Sequence, residues 1–265
     1  MEKLYKGNYA LITGASGGIG LELAREFAKH GINVILVARS EIKLHAIATL
    51  LQKEFKVKVK VIVKDLSIIE EVEALYQQIK YENIVVDYLV NNAGFGDYAY
   101  FHEADWNKLY EMINLNITAL TRLSYLFVKD MVQSGFGKIM NVSSTAAFQP
   151  GPTMAVYYAT KSYVLFLSEA MANELADKGV TVTALCPGAT ESGFQSAAAL
   201  EESRLVKGRK LHTSAEVAAY GYKAMMKGKM VAIHGLMNTM MAESIRFTPR
   251  ALVLKIVRYI SEKAH

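Results

Sequence analysis

The run VYYATKS, residues 156–162, places two adjacent tyrosines just ahead of a lysine. Tyr157 precedes Lys161 by four residues and Tyr158 precedes it by three. On a helix both spacings bring a phenol and an ammonium to the same face. An unperturbed phenol has a pKa near 10, and moving it to about 7 takes roughly 4 kcal/mol of preferential stabilisation of the anion. A close ammonium in a partly desolvated cleft supplies energy of that order. Such a pair can hand a proton to a carbonyl oxygen, or take one from an alcohol. A buried Tyr–Lys pair can also be purely structural, and spacing alone does not choose between Tyr157 and Tyr158.

A second chemical signal is TGASGGIG, Thr13 to Gly20, between the apolar run YALIT and a segment in which Ile19, Leu23 and Phe27 recur at helical spacing. Glycines allow a tight turn and let backbone amides approach a pyrophosphate at the positive end of the following helix. The stretch Gly14, Ala15, Ser16, Gly17, Gly18, Ile19 and Gly20 is therefore expected to cradle a dinucleotide. Its spacing is T-G-x-x-x-G-x-G rather than G-x-G-x-x-G. The second strand ends in VARS, with Arg39 where NAD-binding chains tend to carry an acid for the ribose 2′-hydroxyl. A guanidinium grips a 2′-phosphate in two hydrogen bonds, so the expected cofactor is NADP(H).

Strand-like and helix-like runs alternate along the chain. Apolar strands are expected at 9–13, 33–38, 57–63, 85–91, 138–144 and 180–186, with helices between them, including long ones at about 105–133 and 153–177. This β-α-β-α order predicts an α/β fold: one Rossmann-like, doubly wound parallel sheet with helices on both faces. Ligands of such sheets sit beyond the carboxyl ends of the strands. No Pro-, Gly- or Ser-rich linker or internal repeat divides residues 1–265, which read as a single domain.

The net charge is +5, but the cations are scattered among acids, which argues against a nucleic-acid partner. One cysteine, Cys186, permits no internal disulfide and is expected to be a buried, inert thiol. No His or Cys cluster has metal-ligand spacing, so no metal is expected. With neither an N-terminal apolar leader nor a spanning segment, the expected location is cytoplasmic.

Taken together, the motifs resemble the short-chain dehydrogenase/reductase family over nearly the whole chain. The resemblance rests on TGASGGIG, NNAG (Asn91–Gly94), NVSS after the fifth strand, Tyr157 with Lys161, and Pro187–Gly188, all in the family's order. It selects Tyr157 as the acid, thirteen residues after Ser144 and four before Lys161. Tyr158 becomes a packing or pocket-lining neighbour. The resemblance further implies that Ser144 positions the substrate oxygen and that Lys161 holds the nicotinamide ribose. Of Asn114 and Asn116, it favours Asn116 for a water relay to the lysine. Asp65 and Leu66 should flank the adenine, Asn92 should contact the cofactor ribose, and Thr190 should approach the nicotinamide amide. Ala93, Gly94, Pro187 and Gly188 should also bind the cofactor.

The implied activity is hydride transfer between NADP(H) and a small-molecule carbonyl or alcohol. A non-enzymatic NADP(H)-binding protein and an isomerase or dehydratase on the same fold are the alternatives. The segment at about 189–212 is expected to close over the substrate with Phe194, Ala197, Ala198 and Leu200, and FGDYAYF (95–101) adds aromatics; both suggest an apolar substrate. The helix at about 249–263 is amphipathic, with Leu252, Val253, Ile256, Val257 and Ile260 on one face. That face is expected to cover the protein's own core or a subunit contact, with an anionic membrane surface as the lesser alternative. The two long helices carry apolar arcs (Leu120, Leu123, Phe127, Met131; Val164, Leu167, Met171, Leu175), and the resemblance, in a family that commonly pairs these helices between subunits, implies a homodimer or homotetramer.

Overall fold

The strand segments carry apolar residues at consecutive positions, so both of their faces must be covered. A computed structural model, which describes residues 9–191, 193 and 211–262, shows how. Strands β1 (Tyr9–Thr13), β2 (Asn33–Ala38), β3 (Val59–Val63), β4 (Val86–Asn91), β5 (Gly137–Val142), β6 (Val180–Cys186) and β9 (Val231–Ile233) form one parallel sheet in the order β3-β2-β1-β4-β5-β6-β9. Successive side chains alternate between two cores. Ala10, Ile12, Val34 and Leu36 pack with helices α1 (Gly18–Lys29), α2 (Glu41–Phe55) and α7 (Ser214–Met226). Leu11, Ile35 and Val37 pack with α3 (Ile69–Tyr81), α5 (Leu120–Ser134) and α6 (Ala155–Glu174).

Strand order reverses between β1 and β4, and the chemically marked segments leave the carboxyl ends of β1, β4, β5 and β6 around that switch point. The first long helix is not uniform. Helix α4 (Trp106–Ile113) runs through a π-helical stretch, Asn114–Ala119, into α5.

Beyond β6, a two-stranded pairing of β7 (Thr190–Glu191) with β8 (His212–Thr213) precedes α7. Helices α8 (Leu236–Ser244) and α9 (Arg250–Ser261) follow β9. These elements are short, and only the last was legible from periodicity. Phe194, Ala197, Ala198 and Leu200 lie outside the described residues.

Two expectations need correction. The arcs named for subunit contact face inward: Leu120, Leu123, Phe127, Met131 and Val164 are buried, and Met171 and Leu175 pack on the same core. A sheet covered on both faces uses those residues for itself. The helices instead expose Tyr110, Tyr125, Tyr163 and Phe166. The C-terminal apolar face is also divided, because Val253 is buried and Val257 and Ile260 partly so, whereas Leu252 and Ile256 are exposed.

Candidate active site

The glycine turn is built by close approach. Gly14 and Gly18 have φ of 66° and 55°, where glycine is favoured. A Cβ on Gly14 would lie 2.8 Å from Asn92 Nδ2 and 2.9 Å from Ala93 Cα. Asn92 Nδ2 donates to Thr13 O (2.9 Å) and Gly14 O (3.3 Å), and Thr13 Oγ1 accepts from the Asn92 and Ala93 amides (3.0 and 2.9 Å). The turn is thus stitched to the end of β4. Ala15 and Gly20 are buried behind it, while Gly14, Ser16, Gly17, Gly18 and Ile19 line a cavity of about 930 Å³. A Cβ on Gly17 would meet nothing, so the backbone at the start of α1 is open to a ligand. Asn92, Ala93 and Gly94 also line this cavity, and the Asn92 side-chain nitrogen is committed to the turn.

At the end of β2, Arg39 lines the same cavity and is 71% exposed. Its Nη1 lies 3.5 Å from Asp65 Oδ2. Burial opposes ionisation of Asp65, but hydrogen bonds from Ser67 and the Arg39 charge hold its carboxyl below the ordinary value. Of the two residues expected at the adenine, Asp65 is partly exposed and pairs with Arg39, and Leu66 is buried in the core. Lys43, four residues after Arg39, is a second cation on this wall that sequence reasoning missed, although its spacing was readable.

At the other end, β5 delivers the paired serines. Ser143 is buried and donates to Lys161 O at 2.8 Å, so it ties β5 to α6. Ser144 accepts from the Ala146 amide at 3.1 Å and hydrogen-bonds the Tyr157 side chain. Tyr158 instead hydrogen-bonds Ser261, and its ring packs on Gly151, where a Cβ would collide with it. Geometry and motif thus agree on Tyr157.

Lys161 Nζ donates to Val142 O at 2.8 Å and sits 5.7 Å from the centre of the Tyr157 ring. Burial lowers its pKa to about 8. The expected lowering of the phenol pKa is that of a site whose ammonium is helped by the positive ring of the oxidised cofactor; in the free protein the phenol behaves differently. Burial raises Tyr157 well above its ordinary value, and the Ser144 hydrogen bond offsets only part of that. Desolvation penalises both charged forms, and the ammonium is spent on a carbonyl. The site therefore rests with a neutral, proton-bearing phenol.

The π-helical stretch sets the two asparagines apart by their hydrogen bonds. Asn116 is buried, donates to Phe95 O (2.9 Å) and Thr160 Oγ1 (3.1 Å), and accepts from Phe95 N (3.1 Å). Asn114 has no hydrogen bond of this kind among the described residues. A single π turn swings one side chain out of α register, which aims Asn116 at α6. A Cβ on Gly94 would fall 2.8 Å from Asn116 Oδ1 and 3.6 Å from Lys161 Nζ. Gly94→Ala is therefore expected to lower kcat about tenfold or more, with a fall in Tm of only a few degrees, on the order of 1 kcal/mol. Unchanged kcat would show that Asn116 and Lys161 need not hold these positions.

Pro187, Gly188 and Thr190 line the cavity after β6, with Thr190 Oγ1 donating to Gly188 O at 2.9 Å. Asn238 of α8 packs against Gly188, where a Cβ would lie 2.6 Å from its Nδ2. Phe95, Met154, Tyr158, Met241, Val257 and Ile260 complete a largely apolar wall. Of FGDYAYF only Phe95 lines the cavity; Tyr98 donates to Ser261 O at 2.9 Å and so anchors the end of α9. The contributions of α8 and α9 had no local motif to announce them. Cys186 is buried beneath the site and pushed up to about 12 by burial, an inert thiol. Among the described residues no group of three His, Cys, Asp or Glu could hold a metal ion.

Comparisons with known proteins are consistent with this geometry. A short-chain dehydrogenase of Sphingobium yanoikuyae solved with NADPH superposes with a TM-score of 0.83 at 32% identity, over 93% of this chain and 95% of that one. The bulky-bulky ketone specific alcohol dehydrogenase of Comamonas testosteroni gives 0.78 at 30%, over 91% and 92%. Among curated proteins, the human very-long-chain 3-oxoacyl-CoA reductase is 35% identical over 187 residues, 68% of this chain and 59% of its own length. The human inactive hydroxysteroid dehydrogenase-like protein 1 is 35% identical over 184 residues, 68% of this chain and 55% of its own. The chain thus spans a little over half the length of the curated relatives it matches. A model of the short chain dehydrogenase family matches residues 8–203, which include the glycine turn, Asn116, Ser144, Tyr157 and Lys161; with the parallel sheet and the serine–tyrosine contact, the chain belongs to that family.

Proposed function

We propose that this protein is an NADP(H)-dependent oxidoreductase that interconverts an apolar ketone or aldehyde and its alcohol. The observation that carries this reading is one continuous cavity. An open glycine turn with Arg39 and Lys43 lies at one end, and Ser144, Tyr157 and Lys161 lie at the other. The residues fit a phosphorylated dinucleotide: backbone is bared where a Cβ on Gly17 would meet nothing, and two cations stand where a 2′-phosphate belongs.

When bound, the nicotinamide supplies or accepts the hydride. The chain's own part is to hold the substrate oxygen at Ser144 Oγ and to donate the Tyr157 proton to it. Lys161 is held by Val142 O, with Nζ 5.7 Å from the centre of the Tyr157 ring, and Asn116 fixes the Phe95 loop. Phe95, Met154 and Val257 exclude water from the reacting carbonyl. The raised phenol pKa keeps Tyr157 protonated through the neutral range, in the form that donates to a carbonyl oxygen. Exposed Tyr125, Tyr163 and Phe166 on α5 and α6 form the natural face for pairing subunits.

The name of the human inactive relative supports the alternative of cofactor binding without turnover. The intact serine, tyrosine and lysine of this chain support catalysis. Titration with NADPH and with NADH, followed by nicotinamide fluorescence, is the test of the cofactor reading. NADPH is expected to bind about tenfold or more tighter, and Arg39→Asp is expected to remove most of that preference, on the order of 1–3 kcal/mol. Equal binding of the two would remove the role of Arg39. Consumption of one NADPH per alcohol formed would support reduction; product without net NADPH consumption would favour an isomerase or dehydratase.

A further inference from the structure

The C-terminal helix α9 carries two adjacent apolar stripes. Val253, Val257 and Ile260 turn inward, the latter two onto the cavity. Leu252, Ile256 and Tyr259 follow at i, i+4 and i+7, and are 48%, 46% and 65% exposed. Helix α8 adds Leu236, Met237, Met240 and Met241, exposed at 79%, 68%, 60% and 48%, and Phe247 between the helices is also exposed. This concentration of large apolar side chains at one rim exceeds the scattered exposure normal for a soluble surface. Leu236, Met237 and Met241 belong both to the exposed rim and to the cavity lining, so the rim is continuous with the mouth.

Charge decides what the rim fits. Residues 236–262 contain four cations, Arg246, Arg250, Lys255 and Arg258, and two anions, Glu243 and Glu262. Both anions are paired, with Arg246 at 3.5 Å and Arg258 at 3.1 Å. Arg250 and Lys255 make no ion pair among the described residues. A second copy docked symmetrically would bring this net positive surface against itself. A bilayer surface with anionic headgroups offers the opposite charge to the lysine and arginine and an apolar layer to the stripe. Among the described residues no helix is long and apolar enough to cross a membrane, so the contact is superficial.

We propose that the exposed face of α8 and α9 docks on an anionic lipid surface, setting the cavity mouth against the apolar layer from which substrate enters. The docking stands on the rim alone; only the delivery of substrate rests on the reductase reading.

Co-sedimentation of the full chain with phosphatidylglycerol/phosphatidylcholine vesicles, scored without cofactor or substrate, tests the docking. Most of the protein is expected to pellet at about 0.1 M salt, with several-fold less on pure phosphatidylcholine or in about 1 M salt. Leu252→Ser with Ile256→Ser, and separately Arg250→Glu with Lys255→Glu, should each lower binding about tenfold while retaining turnover of a water-soluble ketone. No pelleting above the lipid-free control, or undiminished pelleting of both variants, would overturn the docking. It would also be overturned if light scattering showed a dimer that Leu252→Ser with Ile256→Ser converts to monomer while no form binds vesicles. Loss of reductase activity with vesicle binding intact would count against the function and leave the docking standing.

Discussion

Tyr157→Phe is expected to lower kcat for ketone reduction by about 10²- to 10⁴-fold, the usual worth of a positioned general acid. NADPH binding should change by less than about twofold, because the substitution removes one oxygen and leaves the ring packed beside Tyr158. The pH profile follows from the two shifts at the site. The acid form of Tyr157 persists to unusually high pH, since burial raises the phenol. Lys161, lowered to about 8, loses its charge first as pH rises. In the free protein, reduction measured as kcat/KM should therefore be flat near neutrality and fall above about pH 8. A profile flat to pH 10 would show that the lysine charge plays no part. Wild-type turnover by Tyr157→Phe on a genuine substrate would end the acid assignment.

Lys161→Met should separate stability from function. The lysine is buried, and its pKa falls from 10.5 to about 8, so the folded state disfavours its charge. At about 1.4 kcal/mol per unit, that depression costs the fold on the order of 3 kcal/mol at pH 7. The sign is that of a group lowered on folding: its contribution is favourable above 10.5 and is lost as pH falls through about 8. Removing the charge relieves that cost but leaves Val142 O without its donor, which takes back roughly 1–2 kcal/mol. A net gain of about 1–2 kcal/mol at pH 7 is expected, seen as a Tm a few degrees higher, beside a loss of about 10²-fold or more in kcat. A lower Tm would mean that the Val142 hydrogen bond outweighs the buried charge. The gain should shrink as the wild type is taken from pH 7 toward pH 10.

The order of elements, the parallel sheet and the glycine turn were legible in the sequence because each is a local pattern. Apolar strands must be covered on both faces, and Gly14 and Gly18 occupy backbone conformations that glycine favours. Arg39 was legible for the same reason, as a residue at a strand end. The choice of Tyr157 over Tyr158 was not local, since helical spacing suits both; resemblance supplied it, and the Ser144 contact agrees.

What tertiary structure alone decided are contacts between residues far apart in the chain. The π turn aims Asn116 at Thr160, Gly94 makes room for both Asn116 and Lys161, and Asp65 pairs with Arg39. The tyrosine pKa of the free protein is raised rather than lowered, and motif spacing carries no information about burial or about a competing carbonyl such as Val142 O. The apolar face of α9 was visible as periodicity, yet only packing shows that half of it closes the cavity and half remains exposed. Residue types and spacing determine which chemistry is available. Which groups are desolvated, which are paired, and which face meets solvent depend on distant parts of the chain coming together.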